Sequence, residues 1–95
     1  MLDLKTSIKE TLREQFDRHL ETQLSILDDY LKYEPSLIRV QNAITQKKYS
    51  LFGYIDCLDN LDVFTERELD VMFDTVEDRI YPQQKMLEAL VKARR

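Results

Sequence analysis

His19 and Cys57 are the residues best suited to proton-transfer or covalent chemistry, and each residue type occurs once in the chain. A histidine can act as a general base or pH sensor because its charge changes near neutral pH. A thiol becomes a nucleophile when a nearby base or cation keeps it as thiolate. Neither residue has that company. His19 projects into an apolar stripe beside Phe16, Gln23 and Ile26, with no Ser, Cys or carboxylate at a telling spacing. A packed histidine with one hydrogen bond is the expectation. Cys57 has no implied base and is expected to be buried or half-buried. A single cysteine allows no internal disulfide, so a reducing, cytoplasmic setting is expected.

Metal and phosphate chemistry find no better footing. Carboxylate-bridged helical sites use paired E-x-x-H motifs, and the residue three before His19 is Phe16. Asp56, Asp59 and Asp62 stand three apart, but the stretch from Asp59 to Asp70 lacks the glycine an EF-hand loop requires at its sixth place. The chain has one glycine, so no Gly-rich phosphate loop and no G-x-S-x-G can occur. No catalytic residue, cofactor or metal is expected, and so no enzyme.

Charge patterning is more informative. Glu66, Asp70, Asp74 and Asp78 recur every four residues, with Glu77 beside them. On a helix these form an acidic ridge, and each like-charge pair costs about 0.2–0.5 kcal/mol unless something compensates. Lys5, Lys9 and Arg13 form a basic ridge of the same spacing near the start of the chain. The two ridges start level if their helices run parallel. They lie on the same flank of their stripes, however, and same flanks meet between antiparallel helices. Lys48 is better placed for Asp78, which leaves much of the acidic ridge free for a basic partner or a second subunit.

A nucleic-acid regulator is the alternative, reading Arg39, Lys47, Lys48 and the tail Lys92-Ala93-Arg94-Arg95 as contacts. The net charge of -4 opposes it, and a recognition helix would not begin with acids. The tail more simply complements the negative end of a helix dipole.

The elements that must hold these residues are helices. One Gly and two Pro in 95 residues leave little material for turns, while 43% apolar and 34% charged residues describe a globular chain. The organising stretch is the corner Leu51–Leu69. Thr65 and Glu68 make a T-x-x-E capping box, and Phe64 with Leu69 a hydrophobic staple, so a helix begins at Glu66. Its stripe of Leu69, Met72, Phe73, Val76 and Ile80 continues in phase through Leu87, Leu90 and Val91. One helix kinked at Pro82 and running to about Ala93 is therefore favoured over a break into a fourth helix. The corner resembles the hairpins of small helical proteins from phages and mobile elements; that likeness implies a bacterial or phage origin and no site.

The first helix is expected over Ser7–Tyr33, with Asp3 as an alternative start one turn earlier. Ile8, Leu12, Phe16, Leu20, Leu24, Leu27 and Leu31 follow helical spacing, and Ile26, Tyr30 and Tyr33 broaden the stripe beyond what one groove needs. Two neighbours are implied, from this chain or another copy. Leu20, Gln23, Leu24, Leu27 and Leu31 are the candidate dimer interface, since a polar residue in a helix seam can fix oligomeric state. Pro35 breaks the helix, and the second helix runs over Ser36–Asn60 on the heptad Leu37, Ile44, Leu51 and Leu58. Gly53 falls on its opposite face, where a close neighbour or a bend would explain it.

The expected fold is all-α: one domain over residues 1–95, an up-down-up antiparallel bundle of three long helices. No apolar run approaches the ~18 residues of a membrane span, and MLDLKTSIKE lacks the apolar core of a signal peptide. The expected function is non-enzymatic protein binding by a homodimer in the manner of an adaptor, small chaperone, inhibitor or immunity protein. The expected partner site is Glu66, Asp70, Asp74, Glu77 and Asp78.

Overall fold

Thr65 and Glu68 close the reciprocal cap that the T-x-x-E pattern predicts. The Thr65 hydroxyl accepts the Glu68 N–H at 3.2 Å, and a Glu68 carboxylate oxygen accepts the Thr65 N–H at 2.9 Å. Phe64 and Leu69, the staple pair, are both buried. In this computed structural model, which describes residues 4–94, the chain forms three helices packed against one another. They are α1 (Leu4–Tyr33), α2 (Leu37–Asn60) and α3 (Glu66–Ala93).

The ends of the helices follow from local chemistry. Ser36 is extended ahead of α2, and its hydroxyl accepts the Arg39 N–H at 3.4 Å. The Glu34 carboxylate accepts the Ser36 N–H at 3.2 Å, so the chain is tied down on both sides of Pro35. Past α2, Asp62 takes φ 56°, a left-handed conformation that Asp tolerates better than most residues. Its N–H donates to the Asp59 carbonyl at 3.0 Å, closing the helix end before the next cap. α1 begins a turn earlier than Ser7, and Asp3, the alternative cap, lies outside the described residues. α3 is a single helix with Pro82 inside it, so the four-helix alternative is not what forms.

The core is built from one stripe of each helix. Phe16, Leu20, Leu24 and Leu27 of α1 meet Val40, Ile44, Leu51, Ile55 and Leu58 of α2 and Leu69, Met72, Val76 and Ile80 of α3. No polar or charged residue is buried among the described residues. The molecule extends 59 × 21 × 17 Å with a radius of gyration of 16.0 Å. A compact globule of this length would have roughly 12 Å, so the chain is a rod.

Gly53 is exposed, and a Cβ built there would meet nothing within 4 Å. No close neighbour accounts for it. Glycine inside a helix costs about 0.5–1 kcal/mol relative to alanine. Gly53→Ala is therefore expected to raise stability by that amount in a denaturant titration, and a loss would mean that the backbone must bend there.

Candidate functional site

The first half of α3 carries the acidic ridge. Glu66, Asp70, Asp74, Glu77 and Asp78 are all exposed. None forms an ion pair or side-chain hydrogen bond among the described residues. The acids that are paired stand elsewhere. Glu68, on the flank of α3 that faces α1, takes Lys9 at 2.9 Å and Arg13 at 3.3 Å. The basic ridge thus does meet α3, through the capping glutamate and on the opposite flank from the acidic ridge. The side chain of Lys5, its third member, lies outside the described residues. Further along, Arg79 pairs with Glu21 at 2.6 Å, and the Gln83 amide donates to Asp28 at 3.2 Å.

The expected Lys48–Asp78 pair does not form. Asp78 precedes buried Ile80 by two residues, which turns it to the far side of the helix. Lys48 instead places its ammonium 5.8 Å from the centre of the Phe52 ring.

Glu68 is the strongly perturbed acid. The Thr65 N–H, and after it the Lys9 ammonium, lower its pKa from 4.5 to about 2. The folded state therefore favours the carboxylate. Its contribution is complete above about pH 4.5 and is lost as pH falls toward about 2. Glu68→Gln is expected to flatten that limb of the stability–pH curve. Urea midpoints measured across the window test this, and parallel curves for the two proteins would refute it.

The remaining candidates are scattered. His19 is half-buried and stacks on Tyr54, with ring centres 5.0 Å apart and planes at 21°. Cys57 is exposed, contrary to expectation: two residues beyond buried Ile55, it turns outward. Leu20, Leu24 and Leu27 are 2%, 5% and 0% exposed within the single chain, while Gln23 and Leu31 are half-buried. The face expected to meet a second copy is thus covered by α2 and α3 of the same chain. Of the basic residues, the tail reaches the start of α2. Arg39 is exposed, Lys47 is half-buried, and Arg94 donates to the Pro35 carbonyl at 2.7 Å.

Spacing along the chain did not reveal an aromatic run across α2 and α3. Tyr49 meets Phe52 edge-on at 6.2 Å, and Phe52 meets Phe73 at 5.2 Å. The signal available was that Phe52 and Phe73 lie at comparable distances on either side of the corner, where a hairpin of helices brings them level.

Among the described residues no group of three or more His, Cys, Asp or Glu could hold a metal ion. None of the helices there is long and apolar enough to cross a membrane. No known protein family matches the chain, and neither a curated protein nor a solved structure shows significant similarity to it.

Proposed function

We propose that this chain is a non-enzymatic protein-interaction module of the adaptor, small-chaperone, inhibitor or immunity type, docking a basic surface of another protein on the acidic ridge of α3. The observation that carries the reading is the set of exposed acids at Glu66, Asp70, Asp74, Glu77 and Asp78 with no cation on them among the described residues. Their mutual repulsion is a standing cost of about 0.2–0.5 kcal/mol per pair that an arriving cation removes. A cytoplasmic setting, where exposed Cys57 stays a thiol, suits this role.

The scaffold in this reading is an up-down-up antiparallel bundle. The pairs Lys9–Glu68, Glu21–Arg79 and Asp28–Gln83 advance together along α1 and α3. Phe52–Phe73 and Pro35–Arg94 advance in opposite senses. A bend of α3 at Pro82 belongs to the same reading, because an interior proline crowds the carbonyl four residues back.

The test is a charge reversal, Asp70→Lys with Asp74→Lys and Asp78→Lys, against a control reversing Glu10, Glu14 and Asp17 on α1. Both variants have the same net charge. A water-soluble Lys/Ser peptide is titrated into each by calorimetry at low and high salt. The ridge variant is expected to lose binding and keep or gain thermal stability, while the control retains most of its binding. Equal losses in both would reduce the ridge to part of a general negative field.

A further inference from the structure

We infer that the face between α2 and α3 receives a basic amphipathic helix of another protein, its apolar side on the aromatic floor and its lysines or arginines against acids on both rims. The inference rests on the reading of the acidic ridge and specifies what kind of partner the ridge serves.

Two rows of residues border this face. On α2, Gln41, Thr45, Lys48, Phe52 and Asp59 recur at steps of three, four and seven, and so share one side of the helix. On α3, Glu66, Asp70, Phe73, Glu77, Gln84 and Glu88 do the same. Two observations place the rows against each other. The Phe52 and Phe73 rings touch, and Gln41 and Thr45 line the same hollow as Gln84 and Glu88. That hollow has a volume of about 340 Å³, and a second of about 310 Å³ adjoins it through Gln41, Leu87 and Glu88. From Asp59 to Gln41 the face is roughly 27 Å long at the helical rise, the length of a five-turn helix.

Its chemistry selects the occupant. The floor carries half-buried Phe52, Phe73 and Leu87 and, at its edge, Tyr49 at 67% exposure, while Gln41, Thr45, Gln84 and Glu88 make the larger hollow at its far end mostly polar. Toward the corner the exposed acids are Asp56 and Asp59 near the end of α2 and Glu66 and Asp70 at the start of α3. Lys48 over the Phe52 ring shows how a cation is held on this floor. Aromatic and aliphatic side chains between two helices accept the apolar side of a helix. The carboxylates at the corner end, unpaired among the described residues, require that end of the helix to be basic, since at the far end Lys92 lines the smaller hollow and Glu88 is paired with Lys85. A second copy is a poor occupant, because each helix of this chain already commits its apolar stripe to its own core.

The experiment uses the full chain and three synthetic 18-residue peptides. One carries Leu at helical i, i+3, i+4 and i+7 positions with Lys elsewhere. A second is its scramble, and a third replaces Lys by Glu. The patterned peptide is expected to bind about tenfold more tightly than the scramble, the worth of one well-buried apolar side chain. It should gain helicity on binding. Tyr49→Ser and Gln41→Lys, both at exposed positions, should each weaken the patterned peptide several-fold and leave the scramble unchanged. Equal binding of patterned and scrambled peptides would overturn the inference while leaving the acidic-ridge reading intact. Failure of both basic peptides would remove that reading and this one with it. Binding of the Glu peptide would mean nonspecific adhesion and also overturn it. A dimer of the chain alone, abolished by Tyr49→Ser, would assign the groove to a second copy and overturn it.

Discussion

Leu27→Ala is expected to lower the unfolding free energy by about 2–5 kcal/mol, a large share of the ~5–15 kcal/mol of an ordinary domain. Leu27 is 0% exposed, on the stripe that α1 turns toward the other two helices. Truncation removes apolar contact and leaves a cavity, and a narrow three-helix rod has few neighbouring side chains able to relax into it. The same substitution distinguishes an internal core from a dimer seam. If the leucines of α1 fill the chain's own core, the unfolding midpoint is independent of protein concentration and the loss appears in full in a monomer. If they held two copies together, the wild-type midpoint would rise with concentration, and the variant would dissociate into folded monomers. Tyr33→Ala is the internal comparison: Tyr33 lies on the same helix at 78% exposure and should change stability by no more than about 0.5 kcal/mol. Light scattering beside a urea titration decides between the outcomes.

How legible the fold was depended on whether a signal was local. The cap at Thr65 and the unbroken phase from Leu69 to Val91 each depend on residues within one or two turns and are readable from the sequence, whereas Ser36, expected as the first residue of α2, is its cap. The breadth of the α1 stripe correctly implied two neighbours. It could not say whose they were, because Leu20, Leu24 and Leu27 look the same whether covered by α2 and α3 or by another copy. Charge was harder still. Glu68 reads as a capping residue, and nothing near it in the chain announces that Lys9 and Arg13 converge on it from a helix far away in sequence. The acidic ridge and much of its freedom from ion pairs were legible as a periodic pattern, and only the expected Lys48–Asp78 pair failed, because Lys48 turns to Phe52. The aromatic run from Tyr49 to Phe73 was missed for the same reason, since a contact across two helices leaves no periodic trace in either one.

Pro82→Ala is expected to stabilise the protein by about 2 kcal/mol. A proline inside a helix costs about 3 kcal/mol relative to alanine, while its restriction of the unfolded chain returns about 0.4–1 kcal/mol. Pro82 is exposed and has helix on both sides, so alanine meets no steric obstacle and restores the N–H that would donate to the Asp78 carbonyl. For a domain of this size the gain corresponds to a melting temperature higher by roughly 10 °C, with an unchanged dependence on urea. A loss of stability would mean that a bend at the proline is built into the packing of Leu87 against α2, so that a straightened helix draws away from its neighbour. The position also bears on binding. The acidic ridge ends at Asp78, before Pro82, and the hollow lined by Gln84, Leu87 and Glu88 begins after it. In the proposed docking, the proline stands between the acidic stretch of α3 and the hollow beyond it, and a bend there would set the angle at which a single partner helix meets both. A variant that melts higher yet binds the patterned basic peptide more weakly would show that the proline is kept for that angle, at the expense of stability. One that melts higher and binds equally would show that the partner adapts to the face.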